Sequence, residues 1–130
     1  MEKELKAGIK GTQTITVTKD LTAKALGSGT LDVYATPAMI ALMENTAYNS
    51  VQPYLEEGQG SVGTSLNVKH LSASPIGMEI VCETTLTEVD RRRLVFEVKA
   101  FDRSGCIGEG THERFLVMND SFQKKADSKL

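Results

Sequence analysis

Thr36-Pro37-Ala38-Met39-Ile40-Ala41-Leu42-Met43-Glu44-Asn45-Thr46-Ala47-Tyr48-Asn49-Ser50-Val51-Gln52-Pro53 is the stretch that decides the architecture. Thr36 suits a helix N-cap, and Pro37 fits the first helical position, where its missing N–H costs nothing. Residues 38–51 contain no glycine, and Pro53 ends the run. The spacing predicts one long helix, without a capping box because no acid stands three residues after the cap. Its first half, from Ala38 to Met43, is apolar on every face. Such a helix is enclosed rather than laid on a surface, so the rest of the chain must wrap it.

The wrapping follows directly. After Gly58-Gln59-Gly60 the pattern switches to period two and predicts strands near 61–73, 78–90, 93–102 and 106–118. Ser74-Pro75-Ile76-Gly77, Asp90-Arg91-Arg92 and Asp102-Arg103-Ser104-Gly105 separate them, and links this short predict that successive strands are antiparallel neighbours. Upstream, Thr14-Ile15-Thr16-Val17-Thr18 marks a strand within 8–18. Gly27-Ser28-Gly29 is a break, and 31–35 is a short extended piece. The class is α+β: an antiparallel sheet of about five strands curled around a central helix. One domain spans 1–130, with an ordered core over about 8–118 and a polar tail, 123–130, expected to fray.

Composition limits the function. In 130 residues there are 15 Lys and Arg against 17 Asp and Glu, a balance without the positive face that nucleic acid or an anionic membrane requires. No apolar run approaches the ~20 residues of a membrane span, and Met1-Glu2-Lys3-Glu4 leads into no signal-peptide core. Cys82 and Cys106 sit in apolar runs and read as small buried hydrophobes in a reducing, cytoplasmic setting. Two histidines and two cysteines show no metal-ligand spacing, and phosphate loop, dinucleotide fingerprint and nucleophile elbow are all missing. The terminal Ser128-Lys129-Leu130 matches a peroxisomal address and is read as coincidence.

Three polar residues stand where burial makes them expensive. Glu44 is the first charge after Thr36 and lines up with Ile40 and Tyr48; a carboxylate there needs a partner, a proton or a function. His70 ends a strand in which Val62, Leu66 and Val68 share its parity, so it points to the apolar face, toward the helix. Alone it reads as a core histidine; beside a buried acid it becomes acid–base equipment. Thr36 is first a cap, but the same helix end offers N–H groups suited to a carbonyl oxygen or oxyanion. Eight residues separate Thr36 from Glu44, ~12 Å along a helix, so the two must flank a substrate, bend, or come from two chains. Arg114 and His112 are weaker candidates, Arg114 as a partner for Glu44. Arg91-Arg92-Arg93 reads as a solvated turn before it reads as a phosphate contact.

Pro53-Tyr54-Leu55-Glu56-Glu57-Gly58-Gln59-Gly60-Ser61-Val62-Gly63-Thr64, Val68-Lys69-His70, Leu42-Met43-Glu44 and Gly108-Glu109-Gly110-Thr111-His112-Glu113-Arg114 together resemble the fluoroacetyl-CoA thioesterase family of hotdog-fold proteins. The resemblance covers about 8–118 in order and spacing. It implies a hotdog fold, a homodimer with active sites along its interface (possibly pairing further to a tetramer), and acyl-CoA thioesters as substrates. No cofactor is implied beyond the coenzyme A of the substrate. The family's catalytic threonine, glutamate and histidine fall on Thr36, Glu44 and His70. Gly63 and Thr64 match the segment beside the thioester carbonyl, and Arg114 matches an arginine near the glutamate. One departure is that the namesake's bulky phenylalanines before the helix have no counterpart: no Phe precedes Phe96, and 27–30 fill that region. The resemblance therefore carries thioester hydrolysis further than fluoroacetyl selectivity. Its rivals are a non-catalytic hotdog that binds acyl-CoA or CoA as carrier, sensor or scaffold, and a hotdog hydratase, whose short His/Asp signature is not evident.

Overall fold

The computed structural model describes residues 4–130; Met1-Glu2-Lys3, and the expectation of a charged N-terminus, lie outside them. The order is β1 (Lys10–Thr16), α1 (Ala23–Leu26), α2 (Thr36–Val51), β2 (Gln59–His70), β3 (Glu79–Asp90), β4 (Arg93–Asp102), β5 (Gly105–Met118) and α3 (Asn119–Asp127). All five strands join one antiparallel sheet, ordered β1-β3-β4-β5-β2. Alternation sets its inner face: Ile80, Cys82, Thr84 and Leu86 of β3, and Leu94, Phe96, Val98 and Ala100 of β4, are buried. Across that face lies α2, which buries Ala38, Met39, Leu42, Met43, Thr46, Ala47 and Val51. Gly108 permits the approach, because a Cβ there would stand 2.5 Å from Met39 Sδ.

Two expectations about the strands are corrected. Segment 71–78 does not join neighbours: β3 pairs with β1, and β2 pairs with β5. Val33 bridges Pro75, and Tyr34 N–H donates to Ser74 O at 2.8 Å. Gly77 N–H then donates to Val17 O at 2.8 Å, handing the chain to the β1 side. The ~14 Å across the two intervening strands is within easy reach of that segment. The second correction is parity. A bulge between Gly63 and Ser65 shifts the register, so Ser61 and Gly63 face inward with Leu116 and Arg114, whereas beyond it Leu66, Val68 and His70 take the inner face. Val62 therefore lies on the opposite face from Leu66 and Val68, while the inward direction of His70 stands.

The helix is not enclosed on all sides. Thr36, Pro37, Ala41 and Asn49 are exposed, and Ile40, Glu44 and Tyr48 are half-buried. This open flank adjoins β2, an edge strand whose residues 63–67 are all exposed. The tail is helical over Asn119–Asp127 and buries no residue. Cys82 is buried and Cys106 only half-buried, both as free thiols. At the β3–β4 turn Arg93 bridges Glu88 and Glu113, each at 2.7 Å, and Arg92 lies over the Phe115 ring. Among the described residues no helix is long and apolar enough to cross a membrane, and no cluster of three or more His, Cys, Asp or Glu could hold a metal ion.

Candidate active site

Thr36 is the first residue of α2, not its cap. Ala35 holds the extended cap position, and Met39 N–H donates to Ala35 O at 3.0 Å. The Thr36 hydroxyl turns instead to the end of β2, where Oγ1 lies 2.8 Å from His70 Nδ1. The Tyr34 ring meets the imidazole edge-on at 6.4 Å, and its hydroxyl donates to Ala38 O at 3.3 Å, tying ring and helix start together. Burial lowers the His70 pKa, with the Ser72 backbone opposing. A neutral ring at Nδ1 can accept the Thr36 proton, which is the geometry of an activated hydroxyl. His70 Nε2 is buried and makes no hydrogen bond among the described residues.

Glu44 anchors a second group, two turns further along α2. Its Oε2 lies 3.3 Å from Arg114 NH1, an ion pair in which the arginine side chain is 7% exposed and the glutamate 38%. Arg114 comes from the inner face of β5. Its Nε donates to Ser61 Oγ at 2.8 Å and its NH2 to Ser61 O at 2.9 Å, with the guanidinium 5.7 Å over the Tyr48 ring. Burial lowers the Arg114 pKa and Glu44 opposes it. Gly63 completes the seat, since a side chain at that position would occupy the space of the Glu44 carboxylate.

The two groups sit at separate points where α2 adjoins β2, and one chain does not bring them together. Thr36 and Glu44 stand ~12 Å apart along the helix axis, and the partners of each lie apart on β2, His70 at its end and Gly63 seven residues before it. Among the described residues of one chain, acid and imidazole do not meet in the expected shared cleft. Glu44 is also less withdrawn from water than the apolar run before it suggested, because it sits on the open flank. A surface concavity of about 470 Å³, lined by Thr16, Met78, Phe101 and Arg103 among others, includes none of these residues. Thr64 occupies the bulge, with its hydroxyl donating to Glu113 O at 3.2 Å. Arg114 faces Glu44 rather than open space, so it would act on a substrate through the carboxylate. Reading the sequence underrated His112 and passed over Ser61; the signal available was β5 alternation, which puts His112, Arg114 and Leu116 on one face.

Both imidazoles impose a pH dependence on stability. Burial lowers the pKa of His70 and of His112 below the ordinary 6.5. Between each lowered value and 6.5 the unfolded chain binds more protons than the folded one, so stability is complete above about pH 6.5 and is lost as pH falls. Thermal melts should show a flat Tm from about pH 8 to 7 and a decline below about 6.5. A Tm that rises on acidification through that window would contradict this assignment.

The fold defines a class: a hotdog-fold protein. A solved thioesterase-superfamily structure from Thermus thermophilus shares the fold, with a TM-score of 0.86 at 24% identity over 98% of this chain and 94% of that one. A sequence model of the fluoroacetyl-CoA-specific thioesterases matches residues 17–120. The fluoroacetyl-CoA thioesterase of Streptantibioticus cattleyicolor is 40% identical over 98 residues, 75% of this chain and 70% of that protein. The solved fluoroacetyl-CoA thioesterase FlK superposes with a TM-score of 0.94 at 33% identity, over 98% of this chain and 99% of that one. The chain belongs to the fluoroacetyl-CoA-specific thioesterase family.

Proposed function

We propose that this thioester hydrolase cleaves a small acyl-CoA to the carboxylic acid and free CoA, as a homodimer, with Thr36, Glu44 and His70 as its catalytic residues. The observation that carries the reading is the Thr36 Oγ1–His70 Nδ1 contact at 2.8 Å: a hydroxyl at a helix start that forgoes capping for an imidazole. His70 accepts a proton from the hydroxyl, which attacks or positions the acyl carbon, while Glu44 activates water for hydrolysis; groups in such roles each contribute about 10²–10⁴ in rate. The backbone at Gly63 and Thr64, where the bulge interrupts the ladder, is assigned to the carbonyl oxygen. No cofactor takes part, coenzyme A arriving within the substrate.

The dimer joins the two groups. β2 is an edge strand with both faces exposed over 63–67, a long unpaired ladder that a second β2 can satisfy in antiparallel fashion. Antiparallel pairing centred on Asn67 would bring the Gly63–Thr64 bulge, with Glu44, of one copy opposite His70, with Thr36, of the other. It also covers Ile40, Ala41 and Tyr48. The other edge strand, β1, spans only Lys10–Thr16 and carries none of these groups. Each site would then draw its acid from one copy and its hydroxyl and imidazole from the other.

A FlK variant, 33% identical with a TM-score of 0.92, is solved with acetyl-CoA, which supports a small acyl group. Fluoroacetyl preference is not part of the proposal, because 27–33 ahead of the helix contain no aromatic side chain. A panel of short-chain acyl-CoAs with a thiol reagent tests the reaction. Thiol release with equimolar acid is the expected result. Tight CoA binding without release on every substrate would favour a carrier or sensor, and loss of an enoyl double bond without thiol would indicate a hydratase.

A further inference from the structure

His112 belongs to none of the roles above, yet it is fully buried on the inner face of β5. Its ring stacks on Phe96 at 6.0 Å, its Nδ1 lies 2.9 Å from Ser65 O, and its Nε2 lies 3.2 Å from Arg114 NH1. A carbonyl oxygen only accepts, so Nδ1 carries the proton. A guanidinium nitrogen only donates, so Nε2 presents its lone pair. One state of the ring satisfies both contacts: neutral and protonated at Nδ1.

We propose that His112 is a positioning residue, holding Arg114 through its Nε2 lone pair so that the guanidinium directs Glu44. The inference rests on the catalytic reading of Glu44. Arg114 NH1 divides its hydrogens between His112 Nε2 and Glu44 Oε2, while Nε and NH2 are committed to Ser61. Removing the acceptor at His112 leaves the guanidinium held only along its Nε–NH2 edge at Ser61, so its plane can tilt about that edge and carry NH1, and Glu44 with it. The grip has a second part: Arg114 holds Ser61 and His112 holds Ser65, so adjacent inward side chains of β5 secure both ends of the β2 bulge at Gly63–Thr64. Acid and bulge are thereby placed by one pair of residues. His70, whose Nδ1 faces a hydroxyl, takes the opposite tautomer when Thr36 donates, with the proton on Nε2.

The wild-type protein labelled with ¹⁵N-histidine carries the first test, because the chain has only two histidines and His70→Ala assigns them. His112 is expected to show a protonated Nδ1 and a bare Nε2; a proton on Nε2 would overturn the proposal. Kinetics carry the second. His112→Leu should lower kcat by about 10- to 100-fold with KM nearly unchanged, as expected for a catalytic group displaced by about an ångström. His112→Gln, which keeps an acceptor, should recover most of that loss. In a Glu44→Gln background His112→Leu should cause no further loss of residual turnover. Full kcat in folded His112→Leu, or the same loss in both backgrounds, would refute the role. Unimpaired turnover in Glu44→Gln itself would instead sink the catalytic reading of Glu44, and the labelling result would still report on the His112–Arg114 contact.

Discussion

Glu44→Gln should lower kcat/KM for the best short-chain acyl-CoA by about 10²–10⁴-fold, the span for a lost general base. Glutamine keeps the length of the side chain and one acceptor oxygen for Arg114, so the seat between Arg114 and Gly63 stays filled. Only the capacity to take a proton disappears. The glutamate side chain is 38% exposed, so the lost ion pair is partly screened and its structural cost is small. Tm should stay within about 5 °C of wild type, the shift expected of about 1 kcal/mol in a chain this size. Wild-type kinetics would remove Glu44 from the chemistry. A Tm lowered well beyond that margin would make its pairing with Arg114 structural first.

Gly63→Ala should lower kcat/KM by about 10²-fold while leaving the protein folded. The added methyl would collide with Glu44 Oε2 and stand 3.3 Å from His112 Cε1. The colliding atom is the end of a flexible side chain on an open flank, so the acid gives way and the strand keeps its course. β2 is extended there, and alanine accepts that backbone without strain. The prediction thus separates position from presence: the carboxylate remains, ionisable and paired, but about an ångström from where Gly63 had let it sit. Activity assays beside thermal melts decide it, and unchanged activity with the methyl in place would mean that the seat of Glu44 does not matter.

The fold was legible where period decides it. Alternation fixed the inner faces of β3 and β4, and the glycine-free run ending at Pro53 fixed α2. It was not legible where a single tertiary contact decides. Nothing local distinguishes the 71–78 link from a hairpin loop; the Val33–Pro75 bridge and the tie to Val17 do, and both are made by residues far away in sequence. One residue of bulge at Thr64 was enough to separate Val62 from Leu66, because a slip of one reverses every side chain beyond it. Thr36 was read as a cap because local chemistry favours it there, whereas a histidine 34 residues away claims its hydroxyl. The residue types of the candidate site were readable at Thr36, Glu44 and His70, since each is costly to bury. Arg114 was readable as a partner for Glu44, and the 3.3 Å ion pair bears this out; the hold of Ser61 on Arg114 and the room that Gly63 leaves for the carboxylate were not, because both depend on strand register.

In the proposed dimer each site takes its acid from one copy of the chain and its imidazole from the other. Mixing Glu44→Gln with His70→Ala under conditions that exchange subunits tests it most directly. Each variant alone should be nearly inactive. If sites are shared, every mixed dimer regains one intact site with wild-type Glu44 and wild-type His70, and at equal ratio about a quarter of wild-type activity should return. If each site belongs to a single chain, no mixture contains an intact one, and activity that stays at the level of the separate variants after exchange is shown complete would contradict the claim.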